Sequence, residues 1–313
     1  MRYLVAFAAL TAIPVAAVAQ YSENFDVDHT ANWTVNQGPS PAGNFADFFF
    51  DYSSYGIPSA PGSGGSSRGL RLEANVGTGV FTGLSVSPTG QSFTGDYQVR
   101  AQAWMNFVGP APAGGSGSTQ AGGIGIGTAG ATAQWAGGTQ DSVWFATTGE
   151  GGSGVDWRAY STAAPTGYPD ASTVFFAAGA GNRNNTHAYY AGFGGVTAPP
   201  AQTLLYPSQT GTTAAGTIGW SWHNFLVDVS GGFATWSVDG LPIARVDLST
   251  VTLGGSNILF NYFDINATST TDQNRLNFVV YDNVTVTPVP EPATLAALGL
   301  GAAALLRRRR RAK

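Results

Sequence analysis

The stretch "VDVSGGFATWSVDGLPIARVDL", Val227 to Leu248, leaves little choice of local structure. It reads as strand, Ser-Gly-Gly turn, strand, Asp239-Gly240 turn, strand. Asp-Gly and Gly-Gly tolerate the positive φ angles of tight hairpin turns, so the segment is expected to run as an antiparallel meander. The same period-2 alternation recurs along the chain. "RGLRLEANV" sets Leu70 and Leu72 against Arg71 and Glu73. In "YQVRAQAWMNFV", Tyr97, Val99, Ala101, Ala103, Met105 and Phe107 fall on one face, while Gln98, Arg100, Gln102 and Asn106 fall on the other and Trp104 breaks the pattern. Further strands are expected in "GGIGIG", "SVWFATT", "VDWRAY", "HAYYAGF", "HNFLVDVS", "NILFNYFD" and "LNFVVYDNVTV". "SAPGSGGSSRG" (Ser59 to Gly69) and "GPAPAGGSGSTQAGG" (Gly109 to Gly123) read as flexible low-complexity loops. Between its two ends the chain has no stretch of ten or more residues with helical spacing and no repeat at the period of a solenoid or propeller. Short strands at this density predict an all-β fold, a sandwich or barrel in a single domain.

Both ends are set apart from this body. "MRYLVAFAALTAIPVAAVAQ" carries one charge, Arg2, then an apolar run that closes on Ala17 and Ala19. This is the pattern of a secretory signal peptide, residues 1–19, cut after Ala19 by signal peptidase. At the other end, Val289, Pro290, Glu291 and Pro292 lead into Ala293 to Leu306 and then into Arg307, Arg308, Arg309, Arg310 and Arg311. The fourteen apolar residues would span about 21 Å as a helix, short of the roughly 20 residues a bilayer core requires. Arginine stems can extend that reach by snorkelling, and their charges favour the cytoplasmic side. The flanking prolines keep the preceding motif extended and out of the helix. The expectation is a short transmembrane helix.

The body, residues 20–287, holds seven arginines, no lysine and seventeen acidic residues, a net charge of −10. Such a surface repels nucleic acid and anionic lipid, so no nucleic-acid partner is expected. There is no cysteine, so packing rather than disulfides must stabilise an exported chain.

Two resemblances follow. The opening "YSENFDVDHTANWTV", the meander "WHNFLVDVSGGFATWSVDGLPIARV" and the closing "NFVVYDNVTVTPVPEP" resemble exported bacterial jelly rolls of the concanavalin A-like, laminin-G-like kind. That resemblance implies a single jelly-roll β-sandwich whose first strand, near Glu23 to Val27, pairs with its last, near Phe278 to Val286. The tail, residues 288–313, resembles the PEP-CTERM sorting signal of exopolysaccharide-producing Gram-negative bacteria. That resemblance implies an exosortase partner, only transient anchoring in the inner membrane, cleavage near the motif, and release to the cell surface or extracellular matrix. The alternative is a permanent anchor.

Searches for catalytic chemistry yield little. "GIGTAG" (Gly125 to Gly130) fits a dinucleotide glycine pattern, but "ATAQWAGG" follows where a helix is required, so it reads as strand and turn. The sequence has no phosphate-binding loop or His-Glu-x-x-His. His29, His187 and His223 are far apart in sequence and read as surface or half-buried polar residues, and no metal centre or cofactor is assigned. Jelly-roll laminarinases use carboxylates on alternate residues of a strand. Here Glu23, Glu73 and Glu150 have no acidic residue two or four positions away, and Asp26 and Asp28 are expected to end the first strand. Weaker candidates are a calcium loop offering Asp264, Asn266, Asp272 and Asn274, and a glycan-binding patch at Asn182, Asn185, His187 and Tyr189. The expectation is a non-enzymatic exported envelope or matrix protein contacting polysaccharide or protein. A glycan-active enzyme on the same fold, or an ice-binding surface hinted at by Thr285 to Thr287, are the alternatives.

Overall fold

A computed structural model describes residues 20–112, 120–138, 141–161, 174–265 and 275–289. The expected signal segment with Ala17 and Ala19, the tail from Pro290 through Arg307–Arg311, and Asn266, Asp272 and Asn274 of the calcium candidate lie outside the described residues. The strands in chain order are β1 (Tyr21–Glu23), β2 (Trp33–Gln37), β3 (Phe45–Asp51), β4 (Arg68–Glu73), β5 (Gly83–Pro88), β6 (Tyr97–Asn106), β7 (Gln120–Thr128) and β8 (Val143–Thr148). They continue as β9 (Trp157–Tyr160), β10 (Val174–Phe176), β11 (Trp222–Ser230), β12 (Phe233–Val238), β13 (Leu241–Asp247), β14 (Asn257–Asp264) and β15 (Phe278–Pro288). The one described α-helix, α1, is Pro200–Leu205.

The strands form two antiparallel sheets. One runs β10-β13-β12-β11-β6-β15-β4-β3, with β1 also paired to β15, and the other runs β2-β5-β14-β7-β8-β9. Inward-facing side chains of both sheets meet in one apolar core that includes Trp157, Phe145, Trp236 and Phe260, all fully buried. The chain is a two-sheet antiparallel β-sandwich.

The meander forms as its turns dictate. Gly231 and Gly232 (φ 57° and 83°) join Ser230 to its partner Phe233, and Asp239 and Gly240 (φ 49° and 81°) join Val238 to its partner Leu241. First and last strands pair as the resemblance implied, although the first lies at Tyr21–Glu23 rather than near Glu23 to Val27: Tyr21 faces Val286 and Glu23 faces Val284. A bulge after Asp282, with Asn283 at φ 51°, divides β15. Before the bulge Val279 to Tyr281 pair with β4, and after it β1 takes that edge.

Three expectations are corrected. "HAYYAGF" is not a strand: Ala188–Tyr190 form a 3₁₀ turn in which the His187 ring caps the Tyr189 amide. The low-complexity segment does not reach Gly123, because β7 starts at Gln120. Its glycines are there for close approach. A Cβ at Gly122 would lie 2.9 Å from Met105 Sδ, and one at Gly123 would lie 2.5 Å from Asn261 Oδ1. Phe107 leaves the interior face of β6 and stacks on Trp220, with ring centroids 4.5 Å apart. Trp104 breaks the alternation for a related reason. The outer face of that sheet is roofed by Tyr52, Ile57, Trp220 and their neighbours, which make a second buried apolar layer around Trp104.

Candidate functional site

Ser221 immediately precedes β11, and His223 is the second residue of that strand. Residues two apart in extended chain share a face, so the two side chains lie together. The register set by the Gly-Gly turn places Asp239 opposite Asn224, one position from His223. The outcome is a linear relay. His223 Nδ1 lies 2.6 Å from Asp239 Oδ2, and His223 Nε2 lies 2.7 Å from Ser221 Oγ.

The parts of the relay are held in place. Asp239 Oδ1 accepts the backbone N–H of Asn224 at 2.7 Å, and the Asp239 amide donates to the Asn224 carbonyl. Partial burial pushes the Asp239 carboxyl up, but the hydrogen bonds from His223 and Asn224 outweigh it and hold it below the usual aspartate range. A carboxylate on Nδ1 accepts that nitrogen's proton, which leaves Nε2 as acceptor for the serine hydroxyl. His223 is buried to 8% exposure and packs edge-on against Phe193 at 5.7 Å. Immediately before Ser221, Trp220 is held at φ 62°, a left-handed conformation unusual for a bulky residue.

An open cavity of about 450 Å³ adjoins the relay, walled by Tyr189, Phe193, Val196, Leu241, His223 and Asp239. The loop from Ala177 to Val196 supplies one side of it. Of the glycan-patch candidates, Tyr189 reaches this wall, and its hydroxyl donates to the Pro242 carbonyl at 2.6 Å. The other three shape the loop. Asn182 Nδ2 donates to Ala178 O, His187 Nδ1 accepts the Tyr189 amide, and Asn185 is buried, donating from its amide to Asp156 Oδ2 and from Nδ2 to Ala215 O. Burial raises the Asp156 carboxyl above its ordinary range despite those bonds.

The remaining polar candidates have local partners. His29 Nδ1 meets Glu23 Oε2 at 2.8 Å, beside a second open cavity of about 480 Å³. Glu73 is buried between Arg71 and Arg275. Asp264 is buried, and its Oδ2 accepts Asn75 Nδ2 at 2.7 Å. Asp282 is fully buried under the Tyr52 hydroxyl, and desolvation pushes its pKa up to about 7. Among the described residues no group of three or more His, Cys, Asp or Glu side chains could hold a metal ion.

A single-residue reading of His223 missed the relay, because its members become neighbours only once the hairpin register is applied. The available signal was Ser-x-His at a strand start with Asp at the second turn.

Comparison with known proteins places one segment firmly. Residues 288–311 match the PEP-CTERM protein-sorting motif. No curated protein matches the chain. Similar solved structures include a Bacillus subtilis protein of unknown function with a galectin-like fold, at 10% identity over 86% of this chain and 96% of that one, with a TM-score of 0.40. They also include an endo-1,3-beta-glucanase from Streptomyces sioyaensis, at 13% identity over 90% and 100%, TM-score 0.44. The Emp46p carbohydrate recognition domain in metal-free form is similar at 8% identity over 88% and 100%, TM-score 0.43. A PEP-CTERM signal marks an exported protein that an exosortase processes, and the chain carries one at residues 288–311.

Proposed function

We propose that this chain is a β-sandwich module delivered to the cell surface or extracellular matrix, where it contacts neutral polysaccharide through the cavity beside His223. The observation that carries the delivery is one of position. The matched motif begins at residue 288, the last residue of β15, so the sandwich completes its final strand where the sorting signal starts. A protease acting at the motif would separate the tail and leave every described strand with the body. The signal peptide, the transient inner-membrane anchor and the exosortase encounter belong to the same reading.

The cavity supports the glycan contact by its chemistry. Aromatic and aliphatic walls from Tyr189, Phe193, Val196 and Leu241 suit the apolar faces of sugar rings, and His223 and Asp239 offer polar partners to hydroxyls. The net charge of −10 on the body disfavours polyanions and favours a neutral chain. Affinity electrophoresis of the exported protein through gels containing neutral polysaccharides tests this reading. Retardation that Tyr189→Ala abolishes is the expected result, and unretarded migration in every neutral glycan would overturn it.

A further inference from the structure

We propose that Ser221, His223 and Asp239 form a nucleophilic relay that hydrolyses neutral carboxylic esters with a small acyl group. Several requirements of such a site have counterparts in the structure. The nucleophile meets its base at 2.7 Å, and the base meets its orienting carboxylate at 2.6 Å. Backbone bonds from Asn224 fix the carboxylate, so the imidazole is held in one ring orientation and one tautomer. Ser221 is half-buried rather than sealed in the core, and the open cavity lies against His223. The strained Trp220 directly before Ser221 is an independent sign. A bulky residue in the left-handed region is strained and persists where surrounding structure enforces it, often at functional sites.

The cavity sets the substrate class. Phe193, Val196, Val238 and Leu241 give it apolar walls for an acyl group, and the Asp239 charge disfavours an anionic one. Gly192 and Gly194 line the same cavity, and their amide N–H groups have no acceptor among the described residues. They are the available donors for an oxyanion. Gly194 must be glycine, since it sits at φ 83° against the Ala214 carbonyl.

In the reaction, Ser221 Oγ attacks the ester carbonyl carbon while His223 Nε2 takes the hydroxyl proton. The carbon–oxygen bond to the alcohol breaks, and the alcohol leaves with the proton from His223. Water then attacks the acyl-serine, giving its proton to His223, which returns it to Ser221 Oγ as the carboxylic acid departs. Asp239 stays ionised and acts as a positioning residue.

The inference uses the same cavity as the glycan reading but does not require a glycan, so the two can fail separately. The test treats the full exported protein with a fluorophosphonate probe and maps the adduct, with p-nitrophenyl acetate hydrolysis as the second readout. A single adduct on Ser221 is expected. Labelling should fall by about 10³-fold or more in His223→Ala, and hydrolysis by on the order of 10⁴-fold in Asp239→Asn, which keeps the shape but favours the wrong tautomer. Ser221→Ala, a small change on a half-buried side chain, should retain the fold and polysaccharide retardation while losing both readouts. An unlabelled Ser221, or labelling and hydrolysis that persist unchanged in the His223 and Asp239 variants, would show the relay to be a structural clamp and overturn the proposal.

Discussion

Asp282→Asn should change how stability depends on pH, by an amount the structure fixes. Asp282 follows Tyr281 on β15, with its side chain fully buried on the outer face beneath the Tyr52 segment. Its carboxyl accepts the Tyr52 hydroxyl at 3.1 Å and the Asn283 amide at 2.6 Å. Desolvation outweighs both bonds, and the nearby Asp26 charge adds to it, so the pKa rises from 3.8 to about 7. Between those values the folded protein holds a proton that the unfolded chain releases. Stability is therefore fully present below about pH 4 and is lost as pH rises through about 7. At about 1.4 kcal/mol per pKa unit, a rise of about 3 corresponds to a loss of about 4 kcal/mol across that window. Asparagine keeps the shape and cannot ionise. Its side-chain oxygen can keep the bond from the Asn283 amide, and the Tyr52 hydroxyl retains the Ser66 carbonyl as an acceptor. Urea unfolding of both proteins at half-unit steps from pH 4 to pH 8.5, followed by tryptophan fluorescence, reads the effect directly. The stability of Asp282→Asn relative to the parent should rise by about 4 kcal/mol from the acid to the alkaline end. Parallel curves would refute the reasoning, because other titrating carboxyls are common to both proteins.

Other expectations concern packing and backbone. Gly240→Ala and Gly125→Ala should differ sharply. A Cβ at Gly240 meets nothing within 4 Å, so only its left-handed φ of 81° is penalised, at about 1–2 kcal/mol. A Cβ at Gly125 would lie 2.6 Å from the Val143 carbonyl oxygen in a paired strand, and that variant should unfold at much lower denaturant. Trp236→Ala removes a fully buried ring packed on Phe145, Trp157 and Phe225, and should cost about 3–5 kcal/mol by chemical denaturation. Glu73→Gln takes the charge from between Arg71 and Arg275 and leaves buried Arg71 uncompensated, at a cost of about 3–5 kcal/mol in the same assay.

Much of the fold was legible because its determinants are local. Gly231-Gly232 and Asp239-Gly240 specify two hairpins by backbone conformation alone, and the alternation in β6 and β11 fixes which face is inward. The tail was legible for a different reason, since motif, apolar segment and arginines occur in order. What alternation could not show was depth. Trp104 and Arg71 point away from the core, yet both are buried, because the Tyr52–Tyr55 turn and the segment around Trp220 fold over that face. His187 marked a strand by composition and instead caps a 3₁₀ turn, a choice set by its ring accepting the Tyr189 amide. The relay needed two levels at once. Ser221 and His223 share a face by strand geometry, but Asp239 joins them only through the hairpin register.

The proposed delivery requires a sandwich that sheds its tail after export. Its most direct test is the intact mass of the exported protein, expressed in one host with an exosortase and in an otherwise identical host without one. The expected result is a species ending near Pro290-Glu291-Pro292 in the first host and a species extending to Lys313 in the second. The same mass in both hosts, with residues 293–313 still attached, would contradict it.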